Sequence, residues 1–455
     1  MNEVRLFKEI VMKKSIISLA ALTIAVWGSV ASAEKVKFEY WYGLSGDLGE
    51  TLKETCNRFN ASQDKYEISC VGYDGYELVV QSAIAAFRAG KAPTILQSFD
   101  AGTADLMMSG EFYPVQQMMK DFNIEIDWNN YFPGIKNYYS SSKGELFSMP
   151  FNSSTAMMYY NVADLEAAGI MTPPATWTEF DAALKALKAK SPDRCAYGYE
   201  PSSWIDLEQF SAIHNIPVAT NNNGYDGLDT QVVYNTTLHV QHMEDIARWV
   251  KDGLAVIKTA AGGQNAQEAF AQNQCSFYFG SIASHSSVGK TAIEGLNWDV
   301  TLLPMTEGYE RHNSVVGGAS LWVLSGKSED EYRGAAEYLK FLATPESETW
   351  WVSNTGYIPV TLAAFKQLSD EGFYTKAPFK GREKAIVSLT ASEVGPLTRG
   401  FRLGGMIQQR AEWTSEVQAA LAGDKTMQAA LDTAAERSNA ILAKFAKTYT
   451  GKTLP

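Results

Sequence analysis

Histidine and cysteine are scarce in this sequence, five and four residues among 455. Neither type falls where chemistry would need it. There is no H-E-x-x-H pair for zinc and no G-x-S-x-G nucleophile elbow. The histidines set no base beside a nucleophile, and the cysteine spacings fit no zinc motif. His239 and His242 lie three apart on a predicted helix, lack a carboxylate at ligand spacing, and read as a solvated pair. Ser284 to Thr291 reads S-H-S-S-V-G-K-T. Ser284 stands where a phosphate-cradling loop needs glycine for the backbone to wrap the phosphates. An acidic pair such as Asp206/Glu208 could serve a glycosidase, but among 51 acidic residues such a pair arises by chance. No catalytic residue, metal set or cofactor motif is left to name.

Long apolar runs are also absent beyond the N-terminus, where Met12-Lys13-Lys14 precedes an apolar stretch from Ile16 to Trp27. Ala31-Ser32-Ala33 then forms a small-residue cleavage site. The order basic, apolar, A-x-A is that of a secretory signal, too short and wrongly flanked to span a membrane. The expected mature chain starts at Glu34, with Met12 the expected true start. Basic residues are outnumbered 39 to 51, giving a net charge of −12, which becomes −14 when residues 1–33 take two net positive charges with them. Such a surface opposes nucleic acid and anionic lipid, so an anionic ligand must be met by a local positive site.

More than 400 mature residues exceed what one core supports, roughly 250–300 residues, and two domains are expected. The chain is rich in Trp (11) and Tyr (22), side chains that suit sugar and polyol pockets. Outside the cytoplasm, four cysteines favour disulfides, with three possible connectivities. Cys56 and Cys70 flank one short helix-to-strand connection, so Cys56–Cys70 with Cys195–Cys275 is the preferred pairing.

Alternation from Val36 to Trp41, helical spacing from Leu48 to Phe59, and a strand over Glu67–Val71 open the mature chain. Asp74-Gly75-Tyr76-Glu77 resembles a capped helix start, with the helix running to about Ala89. Thr94–Gln97 is a third strand, completing the pattern of a parallel α/β domain. Capping boxes at Thr176–Glu179 and Ser328–Glu331 open further helices. Met406–Leu421 and Thr426 to about Lys447 form a helical C-terminus broken at Gly423-Asp424. No repeat, low-complexity segment or loose linker separates the halves. The chain therefore crosses between its domains through short hinges.

Five stretches carry a family resemblance: Ala85-Ala86-Phe87-Arg88-Ala89-Gly90 with Ala92-Pro93, Phe151-Asn152-Ser153-Ser154-Thr155, Gly317-Gly318-Ala319-Ser320-Leu321-Trp322, Thr355-Gly356-Tyr357-Ile358-Pro359, and Gly400-Phe401-Arg402-Leu403-Gly404-Gly405-Met406 with Arg410. Together they resemble the extracellular solute-binding proteins of ABC transporters, in the maltose-binding-like group and its glycerol-3-phosphate-binding branch. The resemblance implies an α/β, two-lobed periplasmic-binding-protein fold of type II with a ligand cleft between lobes. It places residues 34–150 and 297–353 in lobe 1, and 151–296 and 354–455 in lobe 2. It also implies a periplasmic monomer that needs no cofactor. This protein would capture sn-glycerol 3-phosphate or a glycerophosphodiester and deliver it to membrane permease subunits driven by a cytoplasmic ATPase.

Carried over position by position, the resemblance implies a ligand set of Tyr76, Asp100, Ser154, Trp204, Ser281, Gly318, Tyr357 and Arg410. The Arg410 guanidinium fork matches two phosphate oxygens, and it follows Gly404-Gly405 near a helix start whose N–H groups also favour an anion. Tyr76 and Tyr357 would donate hydroxyl protons. Ser154 and Ser281 would donate hydroxyl or backbone hydrogens, and Gly318 its backbone N–H, with a strand bulge as the structural alternative there. Asp100, where the family more often has Glu, would accept from the glycerol hydroxyls. Trp204 would pack on the carbon skeleton, and Pro201 replaces a second family tryptophan. Arg402 reads as structural first. Competing readings are a maltose-type oligosaccharide receptor, which would leave Arg410 idle, and a carbohydrate-active enzyme with two opposed carboxylates.

Overall fold

In the computed structural model, residues 34–455 are described; the secretory segment read at residues 1–33 lies outside them. The strands of the described residues are Val36–Tyr42 (β1), Tyr66–Gly72 (β2), Ile95–Phe99 (β3), Phe112–Tyr113 (β4), Met149–Ser154 (β5), Ala156–Asn161 (β6), Cys195–Tyr199 (β7), Ala255–Ile257 (β8), Cys275–Ser281 (β9), Trp298–Thr301 (β10) and Gly317–Leu324 (β11). They build two sheets. The first runs β2-β1-β3-β11-β4 with β5 also on β11, and the second runs β10-β6-β9-β7-β8.

The period-2 pattern of β1 turns Phe38, Tyr40 and Tyr42 inward. The helix Gly46–Ser62 lays one stripe, Leu52, Cys56 and Phe59, against that sheet. Cys56 is bonded to Cys70 of β2 across a Cα separation of 6.5 Å. In the second sheet, β7 and β9 pair in parallel with Cys195 opposite Cys275, and the two are disulfide-bonded at a Cα separation of 4.4 Å. Among the described residues both bonds follow the preferred pairing.

Two chain crossings join the sheets. The first is a single residue, Thr155, between β5 and β6. The second runs from β10 to β11 through residues 302–316. They are tied together, because Thr155 Oγ1 lies 2.8 Å from Ser314 Oγ and Gln209 Nε2 donates to the Val315 carbonyl at 2.8 Å. Nearby, Ile358 N donates to Ser153 O at 3.1 Å. The cores behind the two sheets are continuous, and Lys35–Pro455 forms one compact unit. Both expected C-terminal helices are present, Met406–Leu421 and Met427–Thr448, separated by Gly423 with φ +88°.

Candidate ligand-binding site

Arg410 sits in the second turn of the Met406–Leu421 helix, with a side chain 17% exposed. Its Nε and Nη2 donate to the two carboxylate oxygens of Glu208, each at 2.7 Å, and Nη2 also contacts Asp100 Oδ2. Asp100 follows the C-terminal end of β3, and Glu208 lies on a π-helical turn, Trp204–Gln209. A wider turn of this kind re-aims side chains and recurs at functional sites. Behind the cluster, Leu207, Val218, Leu403, Met406 and Trp413 line a largely apolar cavity.

The electrostatics follow from that low-dielectric wall. Asp100 and Glu208 are 5% and 2% exposed. Burial raises the proton affinity of both, the Arg410 charge offsets it, and Glu208 is pushed up to about 7 with Asp100 adding to the rise. Burial alone would lower Arg410, but the two carboxylates hold it well above its ordinary range, so it remains a cation.

A second arm begins beside Asp100. The Tyr76 ring stacks on Phe99 at 5.3 Å and 6°, and the Arg410 guanidinium carbon lies 5.7 Å from the same Phe99 ring. The Tyr76 hydroxyl is 3.3 Å from that of Tyr357, and Tyr357 stacks on Trp351 at 5.7 Å. Burial raises both phenols, so they stay protonated. Asn152 Nδ2 donates to Tyr76 Oη at 2.8 Å, Gln97 Nε2 donates to Asn152 Oδ1 at 2.9 Å, and Gly43 N donates to Gln97 Oε1 at 2.9 Å. This buried relay fixes where Tyr76 points.

The third arm is built on β11. Gly318 has φ +88°, and a Cβ there would lie 1.9 Å from the Asn152 carbonyl oxygen. Only glycine fits. The β11–β5 register shifts between Ala319 and Ser320, so Gly318 adjoins a strand irregularity. Its neighbour Gly317 pairs with Ser154, and a Cβ at Gly317 would lie 2.2 Å from the Trp204 ring. Trp204 Nε1 is buried and has no hydrogen-bond partner. Ser281 closes β9 opposite Ala156, where its carbonyl accepts from Tyr159 Oη at 2.8 Å. Tyr357, Tyr76, Asp100, Arg410, Trp204, Gly318 and Ser154 are thus linked by contacts through Phe99, Glu208, Asn152 and Gly317. Ser281 adjoins them across the Thr155 crossing, where Ile282 N donates to Thr155 O at 2.9 Å.

Several expectations change. The N–H groups opening the Met406–Leu421 helix were expected to favour a ligand anion. Instead Gly405 N donates to the Asp105 carboxylate at 3.0 and 3.2 Å, and Asp105 is pushed up to about 6 by burial. An internal anion already occupies that helix end. His239 and His242 are not solvated; they are 0% and 6% exposed. His239 Nε2 accepts from Trp413 Nε1 at 3.2 Å, and His242 stacks on Phe210 at 4.1 Å. The helix after Asp74 starts at Tyr76 with Gly75, φ 113°, as its N-cap and no side-chain cap. Arg402 donates to the Ser140 carbonyl at 3.0 Å and lies 4.6 Å from the Tyr225 ring, a clamp between loops. Among the described residues no group of three or more His, Cys, Asp or Glu could hold a metal.

Sequence reasoning missed Asn152 and Gln97, and set Glu208 aside as half of a chance acidic pair. Asn152 stands inside a quoted stretch, two residues before Ser154, and its neighbours alone could have flagged it. Glu208 carried a weaker signal, four residues after Trp204. Chemically, the arrangement holds one fixed cation, two tyrosine hydroxyl donors, backbone amides on a glycine-opened strand, and carboxylate acceptors. Such a set can bind an anionic, hydroxylated molecule.

Residues 54–378 match the family model for a bacterial extracellular solute-binding protein. The sn-glycerol-3-phosphate-binding periplasmic protein UgpB of Yersinia pseudotuberculosis is 36% identical over 431 residues, covering 93% of this chain and 96% of that one. The protein of the same name from Escherichia coli K12 is 36% identical over 435 residues, covering 94% and 97%. Two solved structures share the fold. UgpB from Mycobacterium tuberculosis in complex with glycerophosphocholine has a TM-score of 0.74 at 17% identity, covering 90% of this chain and 100% of that one. Maltose-bound MalE3 of Thermotoga maritima has a TM-score of 0.72 at 19% identity, covering 89% and 99%. The fold is therefore the two-lobed, maltose-binding-like α/β architecture, and the chain belongs to the bacterial extracellular solute-binding protein family.

Proposed function

We propose that this chain is the periplasmic ligand-capturing subunit of an ABC importer for sn-glycerol 3-phosphate or glycerophosphodiesters. The observation that carries this reading is the part-buried Arg410 guanidinium held among Asp100, the Tyr76–Phe99 stack and the Trp204 turn. A part-buried cation of fixed geometry suits a phosphate group, and relatives named for glycerol 3-phosphate are 36% identical over nearly the whole chain. In this reading Arg410, Tyr76, Tyr357, Ser154, Ser281 and the Gly318 amide hold the phosphate. Asp100 takes the glycerol hydroxyls and Trp204 the carbon skeleton. The protein performs no chemistry. It acts as a monomer and delivers its ligand to membrane permease subunits coupled to a cytoplasmic ATPase.

Two lobes close over the ligand, one carrying residues 34–150 and the other beginning near 151, with Thr155 and the 302–316 segment as hinges. The pairing of Trp298–Thr301 with Ala156–Asn161 supports a return crossing after Thr301.

A second reading has support. The Glu208–Arg410 pairing would suit a structural ion pair beneath a sugar cleft, as in a maltose-type receptor. Calorimetry on the secreted protein with glycerol 3-phosphate, glycerophosphocholine, maltose and glycerol separates the two. Binding of either phosphate ligand without maltose supports the first reading, and binding of maltose alone overturns it.

A further inference from the structure

Arg410 brings one positive charge to two buried carboxylates. With both ionised, that end of the site is net negative before any ligand arrives. Their contacts use Nε and Nη2, and Nη1 is the guanidinium nitrogen outside both. A phosphate reaching Nη1 then meets a cation whose charge is already matched, with Glu208 on its other edge.

We propose that Glu208 determines specificity in this site: it limits how much negative charge the Arg410 end accepts, and it takes up a proton from solvent when an anionic ligand binds. The inference rests on the phosphate-ligand reading above. Glu208, 2% exposed against 5% for Asp100, is the more deeply buried of the two and is the carboxyl to which that reading assigns no ligand contact. Asp100 takes the ligand hydroxyls in that reading, an acceptor role that favours its ionised form. Both Glu208 oxygens accept from Arg410, so protonation weakens that pairing and leaves the guanidinium charge to the ligand.

Among the surrounding groups Asp206 is also raised by burial to about 7, and the E208Q comparison tells its proton from that of Glu208. Tyr138 and Tyr139, on the side of Asp100, are raised by burial and stay neutral. Arg402 is spent on the Ser140 carbonyl, with Tyr225 against it. Asp206, on the same turn, accepts from Tyr199 Oη and Ser202 N instead. Asp105 accepts from Gly405 N. His239 behind the turn is lowered by burial to about 3 and remains uncharged. Near-neutral titration of Glu208 agrees with the proposal.

It follows that a phosphodiester, with one negative charge, is favoured over a dianionic monoester as pH rises. Phosphomonoesters titrate near pH 6 and complicate proton counting. Glycerophosphocholine has no ionisation there, so any proton taken up with it belongs to the protein. The test is calorimetry at pH 8 in two buffers of different ionisation enthalpy, with glycerophosphocholine and glycerol 3-phosphate, on the parent and E208Q. The expected result is proton uptake with glycerophosphocholine by the parent and none by E208Q. E208Q should also bind glycerol 3-phosphate tighter at pH 8 by about tenfold, the equivalent of one pKa unit. Glycerophosphocholine binding to the parent without proton uptake, or equal uptake by E208Q, overturns the inference and leaves the phosphate reading standing. Failure of the parent to bind either ligand at pH 6 or 8 overturns both. Should E208Q not fold, the parent's proton count decides alone.

Discussion

Glu208 takes two donors of Arg410 along one edge of the guanidinium, Nε and Nη2, each at 2.7 Å, from a turn 202 residues earlier in the chain. The pairing couples binding to stability. Arg410→Ala should weaken glycerophosphocholine or glycerol 3-phosphate binding by about 2–5 kcal/mol, the loss usual when a buried charged contact is truncated. It should also destabilise the fold by about 3–5 kcal/mol, since Asp100 and Glu208 lose their counter-charge. Adding E208Q should return part of that stability. Chemical unfolding and calorimetry on the single and double variants check this, and unchanged affinity would remove Arg410 from the site.

Gly318→Ala should be poorly tolerated. Its φ of +88° and the 1.9 Å approach to the Asn152 carbonyl leave no room for a methyl group. Backbone strain alone costs about 1–3 kcal/mol, before any displacement of β5. Equilibrium unfolding measures the cost, and a loss below the error of the method would contradict the assigned backbone.

Tyr76→Phe removes the acceptor of the Asn152 amide and one hydroxyl facing Tyr357. Stability should fall by about 0.5–1.5 kcal/mol, the net worth of a typical hydrogen bond. Ligand affinity should fall as well, whereas a packing-only role for the ring would leave affinity unmoved. Calorimetry beside a thermal melt separates the two roles.

Asp206 supplies a pH signature independent of ligand. Burial pushes it up to about 7, against about 3.9 in an unfolded chain. A raised carboxyl gives stability that is fully present below the unfolded value and lost as pH rises through the folded one. Asp206→Asn should therefore cost most near pH 4 and least near pH 8. A destabilisation equal at both ends, measured by denaturant unfolding, would place the titration elsewhere.

The two disulfides should contribute unequally. Cys56–Cys70 spans 14 residues and Cys195–Cys275 spans 80. On the chain-entropy account these loops correspond to about 3 and about 4.5 kcal/mol. Replacing each pair with alanines and measuring unfolding should show the larger loss for Cys195 and Cys275. The reverse order would show that loop length does not govern here.

The first α/β segment was legible because its signals are local. Alternation in β1, the stripe Leu52, Cys56 and Phe59, and the capping boxes at Thr176 and Ser328 each act within a few residues. The same boxes appear in the structure with both reciprocal bonds formed. The supposed cap at Asp74 failed because Gly75 provides a backbone conformation that needs no side-chain oxygen. His239 and His242 were misread because exposure of a helical face depends on what covers it. Here the cover comes from Trp177, Phe210 and Trp413, distant in sequence.

By itself the sequence determined the family, the α/β class and the preferred cysteine pairing, since these follow from motifs and from local spacing. Tertiary structure alone decided that Thr155 is the one residue between two sheets, that Asp105 occupies the helix end once assigned to a ligand, and that Arg410 is shared between Asp100 and Glu208. The physical reason is that charge interactions depend on distance and burial. Neither quantity is fixed for side chains hundreds of residues apart until the fold brings them into one low-dielectric place.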